Sequence, residues 1–208
     1  MKRVIAFSGI KGGVGRSTLC NMYAKHLKEK GFPVQIIRFE DFEEYDRELI
    51  DVPITYFPTY YEGIDYDNLL DSSDGICLID CKYYKNDYIS PADTIVVPFN
   101  YNRAEILSTN KFLKEYEDLD RPFVFIPNRV RYIGDWSSNE DYRGVLHNRV
   151  KEGKAKGEAI TRYSERGYIT REILDIDEVQ EWDFSKPVPE AVAAAFKDLD
   201  IFLEFLFC

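Results

Sequence analysis

Short apolar runs alternate along this chain with stretches whose apolar positions recur every three or four residues. Arg3-Val4-Ile5-Ala6-Phe7-Ser8 has the continuous hydrophobicity of a buried strand. From Leu19 to Lys30, leucine, methionine and tyrosine fall at helical spacing, and Gly31 stops the pattern. Val34-Gln35-Ile36-Ile37-Arg38-Phe39 reads as a second strand. So short a link from helix to strand makes a βαβ unit, hence a parallel pair with a right-handed crossover. Buried strands are expected again at Gly75–Asp80, within Pro91–Phe99 and within Arg121–Val130. A helix from Asn102 to Leu119 carries Ile106, Leu107, Phe112, Leu113 and Tyr116 on one face. Tyr168–Leu174 is expected to be the last strand, with a short helix over Asp175–Trp182. A final helix beginning at Pro189 gathers Val192, Ala195, Phe196, Leu199, Phe202, Leu203 and Leu206 into an apolar face broad enough to dock on the sheet. The alternation predicts an α/β fold over residues 1–208 as one domain, a doubly wound and mostly parallel sheet with helices on both faces.

Two segments depart from the rhythm. Val52–Asp67 is crowded with Tyr56, Phe57, Tyr60, Tyr61 and Tyr66 and broken by Pro53, Pro58 and Gly63. It is expected to cover one sheet edge as an irregular loop, with a short helix over Tyr66–Asp71; a partner-facing aromatic surface is the alternative. Asp135–Arg166 reads as a long polar helix starting near Ser138, interrupted at Gly144, Gly153 and Gly157.

The chemistry concentrates between the first strand and the first helix, in Gly9-Ile10-Lys11-Gly12-Gly13-Val14-Gly15-Arg16-Ser17-Thr18. A glycine-rich turn from strand to helix lets backbone N–H groups cradle phosphate oxygens while the helix N-terminus adds positive field. Gly12, Gly13, Val14, Gly15, Arg16, Ser17 and Thr18 are the expected nucleotide contacts, with Ser17 as a Mg²⁺ ligand and Thr18 directed at the α-phosphate. The strand Gly75-Ile76-Cys77-Leu78-Ile79-Asp80 delivers a carboxylate at its carboxyl end, where open α/β sheets bind ligands. Asp80 is therefore expected to hold a magnesium-bound water or the Ser17 hydroxyl.

The stretch from Lys11 to Gly15 resembles the deviant Walker A loop of the ParA/MinD family of ATPases, K-G-G-x-G-K-[ST]-[ST], and matches it without a gap. Pro91-Ala92-Asp93-Thr94-Ile95-Val96-Val97-Pro98 resembles the same family's A-D-x-h-h-h-P segment. The resemblance implies ATP and Mg²⁺ as cofactors, hydrolysis of ATP, and a homodimer in which Lys11 reaches the partner's nucleotide. It also implies that Asn128, at the end of its strand, reads adenine, although a loop-starting asparagine also caps or turns. The family's second strand ends in D-x-D; here those positions hold Arg38 and Glu40, so Glu40, with Asp41 beside it as understudy, is the candidate acid for positioning the attacking water or completing the magnesium shell, a solvated acidic run from Glu40 to Asp51 being the alternative. A second departure is Arg16, where the family has lysine: a planar fork replaces a compact ammonium, which puts efficient turnover in question. The ParA branch further implies plasmid or chromosome partitioning, or cargo positioning, with a ParB-like stimulating partner. A nucleotide-gated interaction switch with little or no hydrolysis is the alternative.

Net charge adds a constraint. At −10 over 208 residues the chain is not drawn wholesale to nucleic acid or an anionic membrane. Yet Arg143, Arg149, Lys151, Lys154, Lys156, Arg162, Arg166 and Arg171 outnumber Glu152, Glu158 and Glu165 in one stretch. That stretch is either a nonspecific DNA-phosphate contact or a solvated or partner-docking face. Asp198, Asp200 and Glu204 on the last helix oppose a membrane-binding role. The start of the chain leads straight into a strand, and the unpaired spacing of Cys20, Cys77, Cys81 and Cys208 suits reduced thiols; a cytoplasmic protein is expected.

Overall fold

The computed structural model describes residues 3–9, 12–39, 51–57, 75–81, 86–100, 103–116, 119, 121–129, 167–173 and 177–207. Among these residues seven strands form one sheet: β1 (Arg3–Phe7), β2 (Val34–Phe39), β3 (Ile54–Phe57), β4 (Ile76–Cys81), β5 (Thr94–Phe99), β6 (Phe123–Pro127) and β7 (Gly167–Ile169). Their spatial order is β3-β2-β4-β1-β5-β6-β7, and every neighbouring pair is parallel. From β1 the chain runs out to β2 and β3 on one side, returns to place β4 beside β1, and then runs out through β5, β6 and β7 on the other, so the carboxyl ends of β1 and β4 lie where the winding reverses. Ligands of open α/β sheets bind at such a point.

Alternate residues of each inner strand feed two separate cores, as a sheet covered on both faces requires. Val4 and Ala6 pack with Ile79, Ile95 and Phe125, under α2 (Asn86–Ile89) and α3 (Arg103–Glu115). Ile5 and Phe7 pack on the other face with Leu78, Val96 and Val124, beneath α1 (Arg16–Glu29) and α5 (Glu190–Phe207). A further short helix, α4 (Asp177–Gln180), precedes α5 and buries Val179. Val192, Ala195, Phe196, Leu199 and Leu203 of α5 are buried as the sequence pattern requires. Burying a side chain of leucine or phenylalanine size contributes about 1.5–3 kcal/mol, so this face alone accounts for the docking of the helix. Gly31, with φ +85°, ends α1: its N–H donates to the Lys28 carbonyl at 2.9 Å, and that of Phe32 to Leu27 at 3.1 Å. This paired closure needs a left-handed residue at the turn.

Residues 54–57 correct one expectation. They pair with β2 as an edge strand, Ile36 opposite Ile54 and Phe39 opposite Phe57, rather than forming an irregular loop. Proline 53 does not prevent this, because the strand entrance needs only its carbonyl, which accepts the Ile36 N–H at 2.9 Å. The helix expected over 66–71 and the polar helix over 135–166 lie outside the described residues. The last strand is shorter than expected, ending at Ile169. Among the described residues no helix is long and apolar enough to cross a membrane, and no group of histidine, cysteine and acidic residues could hold a metal ion.

A polar cluster fastens α1 to α5. Asp200 accepts from the Tyr23 hydroxyl at 2.8 Å, pairs with His26 Nε2 at 2.8 Å and takes a further bond from Lys30. Burial alone would raise the Asp200 pKa, but the bonds from His26, Lys30 and Tyr23 outweigh it and hold the carboxyl below its usual value. A depressed folded-state value means stability that is present above the unfolded pKa and lost as pH falls through the folded one. Asp200→Asn is therefore expected to lower stability by about 1 kcal/mol near neutrality, since the carboxylate is partly solvated. The deficit should begin to shrink below about pH 4, where the carboxyl of the unfolded chain protonates, and vanish once the depressed folded-state group has protonated as well. Urea unfolding of both proteins across that range measures it; a deficit independent of pH would rule out the charge as its source.

Candidate functional site

β1 runs on into the loop: the Ser8 N–H donates to the Val96 carbonyl at 3.0 Å, and Ser8 is fully buried. Ile10 and Lys11 lie outside the described residues. Gly12 and Gly13 are exposed, Val14 tucks inward, and Gly13 and Gly15 both take φ +80°. Gly15 is also the residue on which α1 starts, its carbonyl accepting from the Leu19 N–H at 2.9 Å. Thr18 is exposed and Ser17 half-buried on the first turn of α1.

The ends of β5 and β6 grip this loop from the side. Asn128 donates its amide to the Val14 carbonyl at 2.7 Å, and Arg129 donates Nη1 to the Gly13 carbonyl at 2.9 Å. Arg129 has φ +54°, a left-handed conformation uncommon for a side chain of its size. Asn100 steadies that bend by donating to the carbonyls of Asn128, at 3.2 Å, and Arg129, at 2.6 Å. A Cβ built on Gly15 would fall well inside van der Waals contact of the Asn128 amide nitrogen. In this arrangement the amide expected to read adenine is spent on the loop itself. The Asn128 side-chain oxygen, Oδ1, is buried without a partner among the described residues.

Beneath the loop sits a buried cluster of charges. Asp80 is fully buried at the end of β4, directly opposite Arg38 of β2 in the register. Period-two alternation puts both side chains on the α1 face. Arg16 Nε donates to Asp80 Oδ1 at 2.7 Å and Arg38 Nε to Asp80 Oδ2 at 3.0 Å. Arg38 also bonds the Asn21 side-chain oxygen on α1, while Arg16 Nη2 lies 3.4 Å from Ser17 Oγ. Cys20 is buried beside these groups, and burial, then the Asp80 charge, pushes its thiol pKa well up. Burial likewise raises Cys81, 3.5 Å from Ser8 Oγ, to about 12. Both thiols are held protonated.

This geometry bears on the expected magnesium shell. Each oxygen of Asp80 is engaged by a guanidinium, and the Ser17 hydroxyl faces a third guanidinium nitrogen. Two unit charges of like sign ~4 Å apart repel by about 4 kcal/mol even at an effective dielectric constant of 20. As arranged, Ser17 and Asp80 do not fit a divalent cation. Arg38, met in the sequence only as the residue that replaces the first acid of D-x-D, proves to be part of this charged cluster. Its signal was an arginine set in an otherwise apolar strand, placed to meet an aspartate ending a neighbouring one.

The remaining expected site residues divide by location. Gly12–Thr18, Asp80 and Asn128 come together at the carboxyl edge of the sheet. Lys11, Glu40 and Asp41 lie outside the described residues, as does the basic stretch apart from Arg171. Arg171 forms a two-pronged pair with Asp198 of α5, from Nε at 3.1 Å and Nη2 at 2.9 Å. A cavity of about 630 Å³ opens at the opposite end of the strands, lined by Arg3, Tyr23, Leu27, Phe32, Ile76 and Leu203 among others.

No protein-family model matches the chain, and no curated protein matches it in sequence. Solved structures do match. One is described as a plasmid partition protein from Borrelia burgdorferi B31 bound to AMPPNP, at 16% identity, TM-score 0.63, over 98% of this chain and 99% of that one. The fold is that of the ParA and MinD ATPases. The ParA/MinD fold recurs in apo McdA of Cyanothece, at 14% identity, TM-score 0.64, over 96% and 100% of the two chains. It recurs again in pNOB8 ParA bound to nonspecific DNA, at 16% identity, TM-score 0.54, over 95% and 99%.

Proposed function

We propose that this chain is a ParA-like ATPase, one domain over residues 1–208, that binds ATP at Gly12–Thr18. The observation that carries the reading is the loop itself: left-handed glycines, the start of α1 and the carboxyl edge of a parallel sheet meet where the winding reverses. In this reading ATP draws two copies together, Lys11 of each reaching the other's phosphates. Glu40 or Asp41 then positions water for attack on the γ-phosphate, and hydrolysis resets the dimer. Such catalysis is mostly positioning and charge stabilisation, supplied here by loop N–H groups and Arg16. The solved relatives with bound nucleotide or bound DNA support the nucleotide and give the basic stretch Arg143–Arg171 a use in DNA contact. Plasmid, chromosome or cargo positioning in the cytoplasm, with a ParB-like stimulating partner, follows from that analogy.

A second reading has a specific observation in its favour. Asp80 is held on both oxygens by arginines, an arrangement suited to a nucleotide-gated switch with little turnover. Phosphate release measured with and without duplex DNA separates the two, since tight ATP binding with no release identifies the switch. For either reading, Lys11→Ala is expected to retain ATP while remaining monomeric in light scattering. An ATP-dependent dimer unchanged by this substitution would remove Lys11 from the interface.

A further inference from the structure

A magnesium ion beside a triphosphate neutralises charge and fixes the oxygens in place. In this site the groups nearest the loop already carry positive charge. Arg16 opens α1 where the loop ends, 6% exposed, and Arg38 lies behind it, 1% exposed. Burying guanidinium groups so deeply is tolerable only with paired, directional acceptors. Asp80 provides one to each, Oδ1 for Arg16 and Oδ2 for Arg38. Charge-assisted bonds of this kind are about twice as strong as neutral ones. Asn21 adds a second hold on Arg38 from α1, so the arginine is pinned by two elements besides its own strand.

We infer that Arg16 and Arg38 together take the place of the divalent cation, so that this loop binds nucleoside triphosphate without Mg²⁺. The inference rests on the nucleotide reading above and deepens it. Arg38 is the positioning residue: it acts through Asp80, keeping that carboxylate committed to guanidinium and closed to a metal. Arg16 is the group that reaches the loop side, its Nη2 beside Ser17 Oγ.

Titrating the full chain with a fluorescent ATP analogue, in magnesium buffer and again in EDTA, tests this. The expected dissociation constants agree within about twofold, and weakening in EDTA by about tenfold or more (1.4 kcal/mol) would overturn the inference. Failure to bind in both buffers would instead overturn the nucleotide reading, and this inference with it. Arg38→Gln frees one oxygen of Asp80 and is expected to make binding magnesium-dependent, by about tenfold. Arg38→Lys, which keeps the charge, should restore indifference to EDTA. An Arg38→Gln protein as indifferent to EDTA as wild type would take the role from Arg38. Should circular dichroism show that Arg38→Gln does not fold, the wild-type comparison still decides.

Discussion

Asp80→Ala is expected to destabilise the protein by about 3–5 kcal/mol, the cost of breaking a buried ion pair by removing one partner. The carboxylate is fully buried and is the shared acceptor of Arg16 and Arg38, at 2.7 and 3.0 Å. Alanine leaves both guanidinium groups short of that acceptor within the face between α1 and the sheet. Water would have to enter, or the first turn of α1 would have to move. Asp80→Asn keeps the volume and one acceptor oxygen, so it should lose less. The urea midpoint measures both, and a change under about 1 kcal/mol for Asp80→Ala would mean that the cluster does not hold the fold.

Gly15→Ala is expected to damage both stability and nucleotide binding. The residue sits at φ +80°, where a side chain costs about 1–2 kcal/mol. The added methyl would also collide with the Asn128 amide nitrogen. Asn128 is only 3% exposed, so it can retreat only by giving up its bond to the Val14 carbonyl. Losing such a bond adds about 1 kcal/mol, and Val14 is then free of its anchor just past β6. A total near 2–3 kcal/mol and at least a ~10-fold loss of ATP affinity follow. Gly12→Ala is the control for stability: beyond its chain neighbours no atom of the described residues lies within 4 Å of its Cβ position, and its φ is not left-handed. Equal losses of stability in the two variants would show that Asn128 is no anchor.

Much of this was legible in the chain because burial wrote it there. Strands covered on both faces show as unbroken apolar runs, which is how β1, β4, β5 and β6 announced themselves. The last helix was readable because its apolar face is broad and its polar face acidic. Ile54–Phe57 was harder: an edge strand of four residues between prolines has no buried run, and only its register against β2 defines it. Arg38 was harder still. Its charge marks it as unusual, but nothing in the linear order says that it stands opposite Asp80, because that pairing comes from β4 inserting between β1 and β2. The same reason hides the grip of Asn128 on Val14, which joins residues 114 positions apart.

A nucleoside triphosphate is expected in the turn between β1 and α1. A crystal structure of the chain grown with a non-hydrolysable ATP analogue tests it most directly. The phosphates are expected against Gly12–Thr18, with Arg16 alongside. Analogue bound elsewhere, such as in the cavity at the amino ends of the strands, with the glycine turn empty, would contradict it.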